Sequence, residues 1–161
     1  MHKQTFTKAV AALLAVGALL VTLVPSVSAA SLKGIEGAPT ITEGSPAGYY
    51  IWRDDGFHLR THGPGAKHDF DAVLRTRGVF ENVDVVKLES GDSVDVTDGG
   101  HKLVIHFSTF DATDGVNFTI RDGERLRLNL RLDDKPAATS QIFLGAKGRH
   151  PKHNPFTIKL S

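Results

Sequence analysis

Apolar and polar residues alternate with a period of two along several short stretches of this chain, most clearly in RLRLNLRL at residues 125–132. Successive side chains of a β-strand point to opposite faces, so its four leucines face a core and its Arg and Asn side chains face water. Five further stretches show the same alternation: FHLRTH (57–62), HDFDAVLRT (68–76), KLVIHF (102–107), VNFTI (116–120) and FTIKL (156–160). The pattern predicts an antiparallel all-β domain.

Turn signals separate these stretches. Four Asp-Gly pairs supply the positive φ that tight turns require, and each is predicted to join two strands. They lie at 55–56, 98–99, 114–115 and 122–123. The valines of VFENVDVVKLES (79–90) change face halfway along, which predicts a β-bulge. Nine or ten strands result, and they predict a single antiparallel β-sandwich of jelly-roll-like type, with a closed barrel as the alternative.

The first thirty residues have the pattern of a secretory signal peptide. Two lysines precede the apolar run AVAALLAVGALLVTLV (9–24), and a proline and the small residues SVSAA follow it. The pattern predicts cleavage after Ala29 or Ala30 and no membrane span in the remaining chain, with a retained N-terminal anchor as the alternative. We therefore expect residues 1–30 to be removed and the protein to be secreted, into the cell envelope or the extracellular space.

Residues 31–46, SLKGIEGAPTITEGSP, are rich in Gly, Pro, Ser and Thr and contain almost no large apolar residues. This composition is typical of a flexible segment. The predicted organisation is therefore a signal peptide over 1–30, a flexible lead-in over 31–46 and one β-sandwich domain over 47–161.

The charge balance and the cysteine content limit the classes of binding partner and the cellular compartment that we expect. The chain has 19 Lys+Arg and 18 Asp+Glu; without the two lysines of the first thirty residues, 17 basic residues face 18 acidic ones, a formal charge of −1. This balance suggests neither nucleic acid nor an anionic membrane as partner. The chain has no cysteine, which excludes thiol catalysis and thiolate metal sites. Its absence fits a bacterial exported protein that is held together by packing alone.

The stretch AGYYIWRDDGFHLRTH (47–62) holds the single Trp of the chain and both of its Tyr. If they were exposed, Tyr50 and Trp52 would form a flat platform of the kind that stacks on sugar rings. If it were buried, Trp52 would be the largest residue of a core that is poor in aromatic side chains. The scarcity of aromatic residues favours burial, and Trp52 remains a candidate wall of a ligand site.

His58 and His62 lie on the outward face of one predicted strand, together with Arg60. A spacing of four residues separates their Cα atoms by ~13 Å in a strand, so the two imidazoles cannot chelate one metal ion. The pattern favours a solvated polar face over a metal site.

A second polar cluster is GRHPKHNPF (148–156), a segment stiffened by two prolines. His150 and His153, three residues apart, could meet one metal ion, but no carboxylate or third ligand accompanies them in the cluster. A structural loop or a small-ligand site is therefore favoured, and no metal or other cofactor is predicted. Arg149 adds a positive charge to this loop, which we expect to lie at the same end of the domain as His62.

No catalytic constellation is recognisable in the sequence, which contains neither a G-x-S-x-G elbow nor a Gly-rich phosphate loop. We therefore expect a non-catalytic exported binding protein of the bacterial cell envelope, whose partner is a carbohydrate or another envelope component. A hydrolase of envelope polysaccharide is one alternative, because an acidic pair is set by spatial distance and not by sequence spacing. A structural or assembly component of the cell surface is another. The residues predicted to bind the ligand are Trp52, His58, His62, Arg149, His150 and His153.

Overall fold

The computed structural model describes residues 29–30, 35–110 and 112–160, and of residues 29 and 30 it describes the backbone alone. The described residues form an all-β fold of twelve strands in two sheets. Two short 3₁₀ turns, Asp98–Gly100 and Thr139–Gln141, accompany the strands. The strands form two separate sheets and not one closed sheet, so the barrel alternative is wrong.

The smaller sheet has five strands. They are β2 (Gly48–Arg53), β3 (Phe57–His62), β5 (Val79–Lys87), β8 (Thr113–Arg121) and β11 (Ile142–Leu144). Their spatial order is β11-β2-β3-β8-β5. All neighbours are antiparallel except β11 and β2, which run parallel.

The larger sheet has seven strands. They are β1 (Ala29–Ala30), β4 (Lys67–Thr76), β6 (Ser93–Thr97), β7 (Lys102–Phe110), β9 (Arg125–Leu132), β10 (Lys135–Pro136) and β12 (Phe156–Lys159). Their order is β1-β12-β9-β4-β7-β6, and β10 pairs with β9. The β1–β12 pair is parallel, and the other neighbours are antiparallel.

Both sheets contribute their inward faces to one hydrophobic core. In β9 the four leucines are buried and the alternating Arg and Asn are exposed, as the sequence predicts. Leu128 lies between Phe156 of β12 and Leu74 of β4 in the sheet, and all three side chains are buried. The two sheets therefore pack face to face in a sandwich-like arrangement.

The buried Tyr49 of β2 links the two sheets directly. Its hydroxyl donates toward the carbonyl oxygens of Asp71 and Arg131 in the larger sheet, at 2.9 Å and 2.5 Å. Burial is the main cause of a pKa for Tyr49 that is well above its ordinary value. The phenol therefore stays a neutral hydrogen-bond donor inside the core.

The irregularity predicted in residues 79–90 is present in β5. The pairing of β5 with β8 shifts register between Glu81 and Asp84 and again between Val85 and Lys87. Such shifts are β-bulges, which absorb extra residues and let the strand change the face that it buries.

The turn predicted at Asp114–Gly115 is wrong, because both residues lie within β8. The Asp114 side chain is buried and accepts a hydrogen bond from the Thr109 hydroxyl at 2.5 Å. Its other oxygen, Oδ1, is buried without a hydrogen-bond partner among the described residues. Desolvation raises the pKa of Asp114 above its ordinary value. Gly115 serves close packing here, since a Cβ at this position would lie 2.3 Å from Cδ of Arg60.

The beginning of the segment before β2 is hydrogen-bonded to the domain. Ile35 is fully buried in the core, and its carbonyl accepts a hydrogen bond from the Arg53 amide at 2.9 Å. The Gly37 amide returns a hydrogen bond to the Arg53 carbonyl at 3.3 Å. Residues 35–37 are thus attached along the end of β2, whereas flexibility over 31–46 stays a prediction.

Residues 1–28 of the predicted signal peptide lie outside the described residues. The backbone of Ala29 and Ala30, next to the predicted cleavage points, pairs with Thr157 and Ile158 of β12. No helix within the described part of the chain has the length and apolar character needed to cross a membrane.

Candidate functional site

A row of four side chains crosses the outward face of the five-stranded sheet. Trp52 of β2 lies directly opposite His58 of β3. His58 lies opposite Asn117 of β8, and Asn117 lies opposite Asp84 of β5. Directly opposed residues of neighbouring strands share one face, so these side chains meet on the side that faces away from the core.

A hydrogen-bond network connects this row to a turn. Arg60 Nη2 donates to Asn117 Oδ1 at 2.8 Å, and His58 Nδ1 lies 2.8 Å from the same oxygen. A guanidinium can only donate, so Asn117 Oδ1 is an acceptor and His58 Nδ1 must donate to it. His58 Nε2 faces Asp54 Oδ1 at 2.6 Å. Both ring nitrogens of His58 therefore face acceptor oxygens.

Trp52 is buried beneath two of these groups. The His58 ring stacks on the indole with a centroid distance of 4.8 Å and an interplanar angle of 16°. The Arg60 guanidinium carbon lies 5.0 Å from the indole centroid, within the range of a cation–π contact. Trp52 is 9% exposed, but it lies outside the core cluster between the sheets. Trp52 is buried, but the position in the core that the sequence favoured is wrong, because the indole lies on the outward face of the sheet. The indole is covered and is not an open platform.

The charges of the network offset one another. The hydrogen bond from His58 is the main cause of a pKa for Asp54 below its ordinary value of 3.8. The pair therefore stabilises the folded protein above pH 3.8, and this contribution is lost as the pH falls through the lowered folded-state pKa. Burial lowers the pKa of Arg60, and the charge of Asp84 partly offsets that effect.

A cleft of about 420 Å³ adjoins the network and is lined by Glu36, Gly37, Arg53 and Asp54. Asp54 belongs to both the cleft and the network, since it lines the cleft and its Oδ1 lies 2.6 Å from His58 Nε2. The Arg53 guanidinium carbon lies 5.5 Å from the centroid of the Phe57 ring. The residues that line the cleft thus include two acids, which carry acceptors, and one arginine, which carries donors.

A second line of rings connects two of the predicted histidines. His62 meets the edge of Tyr50 at 6.4 Å, and Tyr50 stacks on Phe143 at 4.6 Å. The His150 ring packs against Phe143 at 5.1 Å, and its Nδ1 donates to the Ile142 carbonyl at 2.8 Å. These contacts join His62 and His150 through two intervening aromatic rings. His62 is 5% exposed, so the solvated position predicted for this histidine is wrong, and packing against Tyr50 contributes to its burial.

The loop that carries His150 is attached to the larger sheet. Asn154 forms hydrogen bonds with the amide and the carbonyl of Leu130, at 3.2 Å and 2.7 Å. Arg149 and Leu144 exchange two backbone hydrogen bonds, at 2.7 Å and 3.1 Å. The side chains of Arg149 and His153 are exposed. Much of the order in this loop therefore comes from its own backbone and from Asn154.

Sequence reasoning missed five polar members of this site, namely Glu36, Arg53, Asp54, Asp84 and Asn117. The period-two pattern assigned His58 and Arg60 to the outward face, but it does not specify which residues of other strands lie beside them. The described residues contain no group of three His, Cys, Asp or Glu side chains that could hold a metal ion.

No protein-family model, curated protein or solved structure matches this chain. A functional proposal therefore depends on the geometry of the cleft and of the network behind it.

Proposed function

We propose that this protein is an exported, non-catalytic binding protein of the bacterial cell envelope or extracellular space, and that it binds a carbohydrate at the cleft. The observation that carries this proposal is the lining of the cleft by Glu36, Asp54 and Arg53. Sugar hydroxyls both donate and accept hydrogen bonds, so they match a lining with acceptors and a donor side by side.

The contacts that fix the Asp54 side chain favour binding as well. His58 holds the Asp54 carboxylate at 2.6 Å and is itself fixed by Asn117 and by stacking on Trp52. Asp54 is therefore in position before a ligand arrives, and less conformational entropy is lost on binding. In this proposal His150 extends the binding face, Arg149 and His153 remain predicted members at its loop, and the buried His62 supports the face from behind.

Hydrolysis of an envelope polysaccharide is the alternative, and the two carboxylates of the cleft, Glu36 and Asp54, are the observation in its favour. Glycoside hydrolysis uses one carboxylic acid whose pKa is raised, so that it can donate a proton to the leaving group. Hydrogen bonding by His58 lowers the pKa of Asp54, so Asp54 suits the ionised partner of such a pair and not the proton donor. Binding requires only the acceptors and the donor of the cleft residues, and it is the function that we favour.

The proposal is tested by measuring binding of neutral oligosaccharides to the purified exported protein, first on a glycan array and then by calorimetry. A Glu36→Gln/Asp54→Asn variant should bind roughly tenfold more weakly or worse, because hydrogen bonds to charged groups contribute about 1.5–3 kcal/mol each. Arg53→Gln should weaken binding in the same direction through loss of the donor.

The matched control is Glu43→Gln/Asp55→Asn, which removes two exposed acids that do not line the cleft. Its affinity should equal that of the unmodified protein. Equal losses in both double variants, or no neutral glycan bound at all, would contradict carbohydrate binding at the cleft. Release of sugars that stops in the Asp54→Asn variant would support the hydrolase. A defined self-assembled oligomer without glycan binding would support a structural role at the cell surface.

Export rests on the charged, apolar and small-residue succession of residues 1–30. We expect protein recovered from the envelope or the medium to begin at Ala30 or Ser31 when its N-terminus is sequenced. An exported protein that begins at Met1 would contradict cleavage and would favour a retained anchor.

We also propose that the sandwich is of jelly-roll-like type. The chain passes from one sheet to the other between β1 and β2, β3 and β4, β4 and β5, β5 and β6, β7 and β8, β8 and β9, β10 and β11, and β11 and β12. Repeated crossing between two antiparallel sheets is typical of jelly rolls, which supports this assignment. An experimental structure with a different strand order would overturn it.

A further inference from the structure

Cations gather at one corner of the outward face of the seven-stranded sheet. Arg127 of β9 lies directly opposite Arg75 of β4, and Arg75 lies opposite Lys102 of β7. Arg125 of β9 lies opposite Lys159 of β12. These five residues form what we call the basic corner; four of them are exposed, and Lys102 is partly exposed.

The basic corner is unfavourable for the fold by itself. Like charges directly opposite one another on a sheet repel and destabilise the pairing. Within the described residues, the ion pair that reaches this corner joins Arg75 and Asp98 at 3.9 Å, and both partners are more than half exposed. Such a pair contributes little, since exposed salt bridges are typically worth about 0–1 kcal/mol.

The other end of the same face is neutralised by acidic partners. His106 of β7 lies 2.8 Å from Asp71 of β4, and Asp71 is directly opposite Arg131 of β9. His68 lies 2.9 Å from Asp133. Positive charge is thus concentrated at one end of the sheet and balanced at the other, which points to an anionic ligand for the corner.

We propose that the basic corner binds a linear acidic polysaccharide whose carboxylates contact Arg127, Arg75 and Lys102 in turn. These three side chains lie on adjacent strands, which are separated by about 4.8 Å, so they form a short ladder of positive charge across the sheet. A guanidinium pairs with a carboxylate through two parallel hydrogen bonds, which favours arginine at such a surface.

Nucleic acid fits the corner less well. The outward neighbours of the ladder are Thr157, Thr97, Val73 and Asn129, and none of these offers a ring on which a base could stack. The balanced charges at the other end of the face offer no further cationic patch to an extended duplex. A chain of sugar carboxylates that crosses the strands needs only the corner.

This inference is independent of the carbohydrate cleft, since the cleft lies at the end of β2 in the five-stranded sheet and shares no residue with the corner on the seven-stranded sheet. The test uses the exported protein and two polyuronates, polygalacturonate and alginate, with neutral dextran and single-stranded DNA as comparison ligands. We expect binding to the polyuronates, no binding to dextran and weaker binding to DNA. Affinity should fall as salt rises from about 50 mM to about 200 mM, because exposed charges are screened.

Arg75→Gln/Arg127→Gln should weaken polyuronate binding by roughly tenfold or more, since it removes two charge-assisted contacts. The matched control is Lys67→Gln/Lys135→Gln, which removes the same charge from two exposed residues away from the corner. This control should change the affinity by less than about twofold and should keep the wild-type unfolding midpoint, as is usual for surface substitutions. The corner variant should unfold at the same midpoint or a higher one, because it removes the repulsion between opposed cations.

Equal losses in the two variants, no polyuronate binding, or tighter binding to DNA would each overturn the proposal. The cleft variant Glu36→Gln/Asp54→Asn should leave polyuronate binding unchanged, and the corner variant should leave neutral-sugar binding unchanged. Failure of one surface is therefore distinguishable from failure of the other.

Discussion

Replacing Leu128 by alanine should lower the free energy of unfolding by about 2–5 kcal/mol, as large-to-small changes in packed cores do. Leu128 is fully buried in β9, which is flanked by β4 and β12. Its neighbours Leu74 and Phe156 belong to those strands, so collapse around the cavity would disturb two strand pairings at once. The loss is a large share of the stability of an ordinary domain, about 5–15 kcal/mol.

Urea unfolding followed by far-UV circular dichroism measures this change. Asn129→Ala is the matched control, because Asn129 is the next residue of the same strand and is exposed. Its unfolding free energy should stay within about 0.5 kcal/mol of the unmodified protein. A Leu128→Ala protein as stable as the Asn129→Ala protein would show that β9 does not hold the centre of the core.

Gly115→Ala should destabilise the protein by about 1–3 kcal/mol through overpacking. A Cβ at residue 115 would lie 2.3 Å from Cδ of Arg60 and 2.6 Å from the carbonyl oxygen of Leu59. The carbonyl belongs to β3, which pairs with β8 at this point, so it cannot move away without disturbing the ladder. Arg60 would leave its place over Trp52 and lose its hydrogen bond to Asn117.

The single tryptophan of the chain reports on this displacement. Fluorescence of Gly115→Ala should shift to longer wavelength, since the Arg60 guanidinium would no longer cover the Trp52 indole. Gly44→Ala is the control, because a Cβ at residue 44 meets nothing within 4 Å. It should keep the wild-type emission and stability. Unchanged emission and stability in Gly115→Ala would contradict the assigned packing of Arg60.

The strands were predictable from the sequence because alternation is a local property. Successive side chains of β9 point alternately to solvent and to the core, so the exposure of Arg125 and the burial of Leu126 follow from their positions along the strand. A second local signal, the Asp-Gly turn, gave a wrong prediction at Asp114. An Asp-Gly pair favours a turn locally, whereas the β3–β8 pairing favours an extended strand. Tertiary pairing of the backbone overrode the local turn preference.

The candidate sites depended on register between distant strands, which alternation does not encode. His58 was assigned correctly to an outward face, but its contact with Asn117 joins residues separated by 59 positions. The basic corner likewise combines Arg75 with Arg127, which the sequence places in strands far apart. A shift of one residue in either pairing would move these side chains to opposite faces.

The sequence by itself determined the all-β class, the inward leucines of β9 and the outward position of His58, since each depends on the period of two within a single strand. The tertiary structure decided what lies beside those residues: the cover of His58 and Arg60 over Trp52, the attachment of residues 35–37 that forms the cleft, and the alignment of Arg75, Lys102 and Arg127. The physical reason is that side-chain direction follows from the local backbone, whereas strand order and register follow from packing two whole sheets around one core.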